Sequence, residues 1–240
     1  MKKFMVLLLA LVMVLGLAAC GGDDKGAESS GEKEVFKIGV IQLVKHDALD
    51  RAYEGFVDEL AEMGYVDGEN IEIEYQNASN DQSNCLTIAE SMVNDEKDLI
   101  FAIATPAAQA AASKTEDIPI LVSAVTDPAG SGLIESNDAP GRNLSGTSDL
   151  TPVAQQIKLL KEVVPDAKNF AVLYCSNESN SEIQVRLAKE AAEEYGLEVV
   201  EASVSSSNEI QQMVSSLVGK VDAIYVPTDN TIVAGMETVS

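Results

Sequence analysis

Short apolar runs without alternation recur along the chain and predict a parallel α/β fold. The clearest cover residues 98–104 and 221–226, and a proline with polar neighbours follows each run, at Thr105–Pro106 and at Pro227–Thr228. Continuous apolar strands are typical of parallel sheets that are covered on both faces. Proline, threonine and aspartate suit the start of a helix. Since ligands of open α/β sheets bind beyond the carboxyl ends of the strands, the two strand ends predict two lobes that face a common cleft.

The same order of predicted elements occurs twice. Strand, polar loop, helix, glycine, strand, helix and strand follow one another in both halves, which predicts two similar βαβαβ lobes. Repeated units within a single doubly wound sheet are the alternative. The extended piece at 143–148 is interpreted as the crossing between lobes. The chain ends within the helix that Thr228 would cap, so the second lobe is expected to be C-terminally incomplete. The predicted strands are 35–41, 70–75, 98–104, 118–123, 168–174, 197–202 and 221–226, and the predicted helices are 48–63, 81–94, 106–113, 183–195 and 208–218.

The start of the chain has the pattern of a bacterial lipoprotein signal peptide. Two lysines precede an apolar run over 4–17, and the small residues before Cys20 match a lipobox, so Cys20 would become the lipid-bearing first residue. An ordinary secretory signal with a chance cysteine is the alternative. The glycine-, serine- and charge-rich segment that follows predicts a flexible tether. The predicted divisions are a signal peptide at 1–20, a tether at 21–34, a first lobe at 35–147 and a second lobe at 148–240.

Composition and charge exclude several classes of protein. The 46% hydrophobic content is sufficient for packed cores. The formal net charge of −23 repels phosphate backbones, so no nucleic-acid partner is expected. His46 is the single histidine of the sequence and no C-x-x-C spacing is present, so neither a metal site nor a cofactor is expected. Cys85 and Cys175 are predicted to be two separate thiols, with a disulfide between them as the alternative.

Polar residues at the predicted strand ends form the candidate binding site. They supply hydroxyls, amides and two carboxylates, without lysine or arginine, which suits a zwitterion such as an amino acid. The ligand carboxylate would lie against helix N-termini near Thr105 and Thr126, and Asp127 or Asp229 would hold the ammonium group. Each residue could instead cap a helix or make a turn. The candidate residues are Gln42, His46, Thr105, Pro106, Thr126, Asp127, Asn180, Ser181, Thr228, Asp229 and Asn230.

The sequence offers little support for an enzyme, because the common catalytic motifs are missing. The sequence has no Gly-x-Ser-x-Gly elbow and no phosphate-binding loop, and Gly130-Ser-Gly132 lacks the third glycine of a dinucleotide fingerprint. No enzymatic activity is therefore expected. An aromatic ligand would need an apolar or stacking wall, for which Tyr174 and Tyr225 are candidates, although tyrosines in strands are more often core residues.

Several motifs together resemble a family of substrate-binding lipoproteins of ABC importers. The resemblance covers residue 35 to the end of the chain, and some members of the family bind tryptophan or other aromatic amino acids. It implies a periplasmic-binding-protein type I fold whose two lobes close on the ligand, and a ligand held by the strand-end loops that contain the candidate residues. The motifs are Lys37-Ile-Gly-Val-Ile, Gly64-Tyr-Val-Asp-Gly-Glu-Asn, Ile103-Ala-Thr-Pro-Ala-Ala-Gln-Ala-Ala, Ala124-Val-Thr-Asp-Pro, Ser148-Asp-Leu and Val218-Gly-Lys-Val-Asp-Ala-Ile-Tyr-Val-Pro-Thr-Asp-Asn.

The resemblance also implies partners and a location. A membrane permease and an ATPase would receive the solute, and the lipid on Cys20 would hold the protein at the extracytoplasmic face of the bacterial cell membrane. The sequence thus predicts a solute-binding lipoprotein that captures a small molecule. The expected ligand is an amino acid, and aromatic amino acids are included in that class. A surface-anchored sensory ligand-binding module and an α/β enzyme that uses His46 or Asp127 are the alternatives.

Overall fold

Two parallel β-sheets with helices on their faces make up the described part of the protein. The structure is a computed structural model, and it describes residues 35–239. The larger sheet has five strands in the order β2-β1-β3-β4-β5, and the smaller has three in the order β7-β6-β8. Each sheet with its helices is called a lobe, the first lobe holding β1–β5 and the second β6–β8. The strands are β1 Phe36–Gln42, β2 Ile71–Asn77, β3 Leu99–Ile103, β4 Ile120–Val125, β5 Leu144–Ser148, β6 Asn169–Cys175, β7 Glu198–Val204 and β8 Ile224–Tyr225.

Seven α-helices and two 3-10 turns connect the strands within the described residues. The 3-10 turns are Ser207–Glu209 and Met236–Thr238. No helix of residues 35–239 is both long enough and apolar enough to cross a lipid bilayer. The helices are α1 Asp47–Glu62, α2 Gln82–Asn94, α3 Thr105–Lys114, α4 Val153–Val163, α5 Ser179–Glu194, α6 Ile210–Leu217 and α7 Asn230–Ala234.

The central strands are apolar because helices cover both of their faces. In β3 four consecutive residues are buried, and in β6 six are. The alanine-rich sequence of α3 lets this helix pack closely on the sheet, with all but one of its first seven residues buried. Strong burial without alternation is the expected pattern of a parallel sheet between two helical layers. The hydrophobic runs therefore predicted the correct fold class.

The second sheet repeats the inner part of the first. In both sheets the first strand of the unit lies between the next two, and all pairings are parallel. One aspartate plays a similar role in each unit: Asp98 Oδ2 accepts the amide of Lys37, near the start of β1, at 2.7 Å, and Asp222 Oδ2 accepts the amide of Lys168, just before β6, at 2.7 Å. The strand predicted at 221–226 is shorter in the structure, where β8 covers only Ile224–Tyr225.

Two parts of the sequence prediction between the lobes were wrong. Residues 143–148 are not the crossing, since β5 pairs in parallel with β4 at the edge of the first sheet. The crossing follows at 149–152, and helix α4, which the sequence reading did not include, comes directly after it. Only Leu144 of β5 is buried, so the strand lacks the apolar pattern by which the others were found.

Candidate ligand-binding cleft

A cavity of about 330 Å³ lies between the carboxyl ends of the two sheets. Its size falls within the usual range of small-molecule sites, roughly 300–1,000 Å³. The first lobe contributes the start of α1, the end of β4 and the end of β5 with the residue after it. The second lobe contributes the loop after β8 and the start of α7. The lining residues are His46, Ala48, Leu49, Ala52, Ser123, Ala124, Thr147, Asp149, Thr228, Asp229, Asn230 and Val233.

The lining of this cleft cavity combines two kinds of surface. Helices α1 and α7 supply aliphatic side chains, of which Leu49 and Val233 are the largest. The strand ends supply hydroxyls and carboxylates, among them Ser123, Thr147 and Asp149. No lysine or arginine is among the lining residues. The arrangement suits a molecule with an apolar portion and a group that carries positive charge.

Asp149 is the lining carboxylate that is free to bind a ligand. It is the first residue after β5, and its backbone amide donates to the Val125 carbonyl at 3.2 Å. Its Oδ1 atom is buried and has no hydrogen-bond partner among the described residues. Burial raises the pKa of Asp149, and a side-chain hydrogen bond with Thr126 opposes that shift. Buried polar atoms in native proteins are nearly always paired, so an unpaired carboxylate oxygen at a cavity is expected to meet a donor, either from a ligand or from water.

Four further candidate side chains have buried polar atoms without partners within residues 35–239: Gln42 Oε1, His46 Nε2, Thr105 Oγ1 and Asn180 Oδ1. His46 precedes α1 and lines the cavity; its side chain does not cap the helix, and its buried Nε2 is unpaired within residues 35–239. Thr105 is 1% exposed, and its Oγ1 is likewise unpaired in the described chain, although Thr105 does not line the cavity. All four residues were predicted as candidates, and of the four only His46 lies in the cavity lining.

Asp229 also lines the cavity, but its carboxylate is already occupied. Oδ2 accepts the Cys175 amide at 2.6 Å and the Ser181 hydroxyl at 2.7 Å, and Oδ1 accepts the Ile232 amide at 2.8 Å. Burial, together with the nearby charge of Glu178, raises the pKa of Asp229 to about 6. Its hydrogen bonds cap α7 and tie that helix to β6 and α5. Asp229 therefore acts as a structural residue, and the expectation that it holds a ligand ammonium is not supported by its contacts.

Glu178 is the centre of a polar cluster that the sequence reading missed. It is 2% exposed and precedes α5. Oε1 accepts the Thr231 amide and hydroxyl at 2.9 and 2.8 Å, and Oε2 accepts the Asn230 amide and side chain at 3.0 and 2.6 Å. Asn180 Nδ2 donates to Oε2 at 3.2 Å. The negative charge lies at the N-terminus of α7, where the helix dipole stabilises it.

Most of the remaining candidates lie outside the lining of the cleft cavity. Gln42 donates to Asp50, and Asp127 accepts the Gly130 amide. A second cavity, of about 470 Å³, is lined by Pro106 and by polar loop residues of both lobes. The candidates within the cleft lining are His46, Thr228, Asp229 and Asn230, and those outside it are Gln42, Thr105, Pro106, Thr126, Asp127, Asn180 and Ser181.

Several predicted local roles need correction. Thr105 is not an N-cap, because Ala104 occupies that position. Thr228 does not cap the last helix either, since Asp229 does so. Tyr174 and Tyr225 do not line the cleft cavity; both pack in the core of the second lobe, as tyrosines in strands usually do. Cys85 and Cys175 are both buried and free, as predicted.

Two alanines at strand ends have positive φ angles. Ala104, after β3, has φ 84°, and Ala124, near the end of β4, has φ 55°. Non-glycine residues rarely adopt such angles, and they cluster at ligand-binding sites. Ala124 lines the cleft cavity, and Ala104 sets the direction of α3. Among residues 35–239, no group of three or more His, Cys, Asp or Glu side chains is placed to hold a metal ion.

Two parallel α/β lobes with a cavity between their strand ends define a solute-binding protein of the periplasmic-binding-protein type I fold. Residues 37–240 match the family described as ABC transporter substrate binding protein. The chain belongs to that family, whose members deliver solutes to ABC transporters.

Relatives of known identity agree with this assignment. A tyrosine-binding protein of Clostridioides difficile (strain R20291) is 46% identical over 246 residues, which span 100% of this chain and 71% of that protein. A solved structure from Streptococcus pneumonia, an ABC domain in complex with L-Trp, is 45% identical with a TM-score of 0.82, covering 85% of this chain and 69% of that one. The family match supports the transport receptor over the sensory module and the enzyme.

A third relative differs in the arrangement of its lobes. The ligand-free, open structure of a substrate-binding protein with adhesive properties from Clostridium difficile is 50% identical, covering 85% of this chain and 70% of that chain. Its TM-score is 0.60, lower than that of the L-Trp complex in spite of the higher identity. The present structure as a whole is therefore more similar to the L-Trp complex than to this open structure.

Proposed function

We propose that this protein captures an amino acid with a large apolar side chain, an aromatic one in particular, in the cleft cavity and presents it to an ABC importer. The observation that carries the proposal is the unpaired Asp149 Oδ1 at a cavity whose other walls are partly aliphatic. The similarity to proteins that bind tyrosine and tryptophan supports the same class of ligand. No catalytic role is proposed for His46 or for any other residue.

The proposed pose places each part of the ligand against a matching surface. The ammonium group donates to Asp149, where the charge of the carboxylate strengthens the hydrogen bond. The ligand carboxylate accepts from hydroxyls at the strand ends, with Ser123, Thr147 and Thr228 within the lining. The side chain lies along Leu49 and Val233, and burial of its apolar surface contributes about 25 cal/mol per Å². The sequence predicts Asp127 or Asp229 as the partner of the ligand ammonium group, whereas the present proposal assigns this role to Asp149.

Closure of the lobes couples binding to delivery. A ligand in the cleft contacts both lobes, so it stabilises the arrangement in which they are close together. The closed protein would be the form that the permease and ATPase recognise. We place the division between the lobes at the crossing over residues 149–152, just after the boundary at 147–148 that the sequence predicts.

The location of the protein is also part of the proposal. The signal peptide at 1–20, the tether at 21–34 and the lipid-bearing Cys20 lie outside the described residues. Their sequence pattern supports a lipoprotein at the extracytoplasmic face of the cell membrane, which is where a receptor for an importer meets its solute.

Isothermal titration calorimetry with L-tyrosine, L-tryptophan, L-leucine and glycine tests the ligand and the role of Asp149. We expect the aromatic amino acids to bind and glycine not to. Asp149→Asn should weaken binding of the aromatic ligand about 10- to 100-fold, because it removes a charge-assisted hydrogen bond.

Asp127→Asn is the matched control. Asp127 also follows a strand of the first sheet, but it does not line the cleft cavity, so this variant should bind within about threefold of the parent protein. Equal losses in both variants, or a loss confined to Asp127→Asn, would refute the assignment of Asp149. Absence of binding to all four amino acids would refute the ligand class.

A further inference from the structure

We propose that three amide side chains of the first lobe, Asn80, Gln82 and Gln109, form a latch that holds the lobes together and sets the ratio of closed to open protein. None of the three lines the cleft cavity. The latch therefore acts apart from the solute and goes beyond the proposed function, since it does not depend on which molecule is bound.

Among residues 35–239, three side-chain hydrogen bonds cross from one lobe to the other. In each the donor is an amide of the first lobe and the acceptor is a neutral oxygen of the second. Because each bond joins the two lobes, all three break when the lobes separate. The bonds are Asn80 Nδ2 to Thr231 Oγ1 at 3.0 Å, Gln109 Nε2 to Ser179 Oγ at 3.1 Å, and Gln82 Nε2 to the Asn177 carbonyl oxygen.

Glu178 positions the acceptor of the first bond. The Thr231 hydroxyl has one hydrogen, and it donates that hydrogen to Glu178 Oε1 at 2.8 Å. A carboxylate can only accept, so the Thr231 oxygen is left to accept from the opposite lobe. A donor is therefore required at position 80, and Asn80 supplies it. The same carboxylate accepts from the Thr231 amide at 2.9 Å, which fixes the backbone that carries the hydroxyl.

The first lobe presents Asn80 on a rigid turn. Asn80 has φ 60°, which asparagine tolerates better than most residues, and its backbone amide donates to the Leu43 carbonyl at 2.8 Å. The next residue, Asp81, caps α2 by accepting the amides of Ser83 and Asn84. These contacts lie within the first lobe, so the backbone that carries Asn80 is already fixed when the latch forms, and more of the free energy of its hydrogen bond contributes to closure.

Each latch bond is expected to change the closed-to-open ratio about two- to tenfold, since opening exchanges it for hydrogen bonds to water. Small-angle X-ray scattering of the ligand-free protein measures that ratio through the radius of gyration. We expect the combined variant Asn80→Gly, Gln82→Ala, Gln109→Ala to be more open than the parent. Glycine is chosen at position 80 because it keeps the positive φ angle while removing the amide.

Gln155→Ala is the matched control, since Gln155 is an exposed amide on α4 that takes no part in the three bonds that cross between the lobes. It should leave the scattering curve unchanged. A combined latch variant whose curve equals that of the control would overturn the proposal. The measurement needs no ligand, so it stands or falls independently of the amino-acid proposal.

Substitutions at Asn80 and Thr231 test the direction of the hydrogen bonds from Asn80 to Thr231 and from Thr231 to Glu178. Asn80→Asp keeps the shape of the side chain but places an acceptor against an oxygen that has no hydrogen to give, so it should open the protein more than Asn80→Gly. Thr231→Ser should retain the closed ratio of the parent, whereas Thr231→Val should lower it. Equal effects of Asn80→Asp and Asn80→Gly, or of Thr231→Ser and Thr231→Val, would refute the role of this bond.

Discussion

At the scale of single residues, the hydrogen bonds of the carboxylate oxygens distinguish Asp149 from Asp229. Asp149 and Asp229 both follow strands and both line the cleft cavity. Asp229 accepts three hydrogen bonds from its own lobe, whereas Asp149 keeps one oxygen unpaired among the described residues. An occupied carboxylate has little left to offer a ligand, while an unpaired buried oxygen is costly unless a donor reaches it. Asp229 is therefore a helix cap, and Asp149 is the residue for which we propose a ligand contact.

The pKa of Asp149 gives the proposed binding a pH dependence. Burial raises this pKa, so the carboxylate becomes protonated at a higher pH than an ordinary aspartate does. A protonated Asp149 loses its attraction for an ammonium group. The affinity for L-tyrosine should therefore fall as the pH is lowered from neutral to about pH 4, within the range where carboxyls titrate.

Calorimetry across that range, on the parent and on Asp149→Asn, checks the source of the effect. The variant has no carboxylate at this position, so its affinity should change less, and the two affinities should converge at low pH. Other groups in the cavity, among them Asp229, contribute equally to both curves. Parallel curves for the two proteins would assign the pH dependence to those groups instead.

At the scale of elements, the pairing of β5 with β4 places Asp149 at the cleft. The strand is polar, and its closest approach to β4 occurs at Gly146. A Cβ atom at this position would lie 2.1 Å from the carbonyl oxygen of Val122. Only glycine allows the two backbones to pair there, and the pairing sets where β5 ends. The position of Asp149 thus depends on a glycine three residues before it.

Gly146→Ala should destabilise the protein by about 2–4 kcal/mol, because backbone atoms of β4 cannot move aside for the methyl group. Urea unfolding followed by circular dichroism measures the change. Gly55→Ala is the control: a Cβ at Gly55, on the exposed face of α1, meets no atom within 4 Å, so this variant should gain about 0.5–1 kcal/mol. A neutral Gly146→Ala would show that β5 does not require the close approach.

At the scale of the whole molecule, the two lobes are placed as a receptor for transport requires. Within residues 35–239 the chain passes from one sheet to the other once, over 149–152. The first lobe carries Asp149 at this crossing, so the proposed ammonium contact lies next to the segment about which the lobes would move. The TM-scores of 0.82 and 0.60 to the L-Trp complex and to the open relative agree with two arrangements of similar lobes.

The anchor is the prediction that concerns the whole protein in its cellular setting. Cys20→Ala should abolish incorporation of radiolabelled palmitate and release the protein from the membrane fraction. The physical reason is that an acylated cysteine binds the bilayer through its buried methylene groups, at about 0.8 kcal/mol each. Cys85→Ala serves as the control, since that thiol is buried within the first lobe. Labelling that persists in Cys20→Ala would contradict the lipoprotein assignment.

The sequence by itself determined the fold class, the repeat and most element positions. The reason is local: apolar runs without alternation mark strands covered on both faces, and proline and aspartate mark the starts of helices. It missed α4 and misread β5, whose polar edge sequence carries no such pattern. The expectation that ligands bind beyond the carboxyl ends of strands correctly included His46, Thr228 and Asn230, which line the cavity. It also included residues such as Asn180, which do not, and the sequence offered no means of telling the two groups apart.

The tertiary structure decided which polar groups were satisfied. The partners of a strand-end side chain lie far along the chain: Asp229 is bonded to Cys175, 54 residues away, and Glu178 to Thr231, 53 residues away. No local pattern encodes whether such a partner is present, because it depends on how separate elements pack. Asp149 became a candidate only when β5 took its place in the sheet and left one carboxylate oxygen without a partner at the cavity.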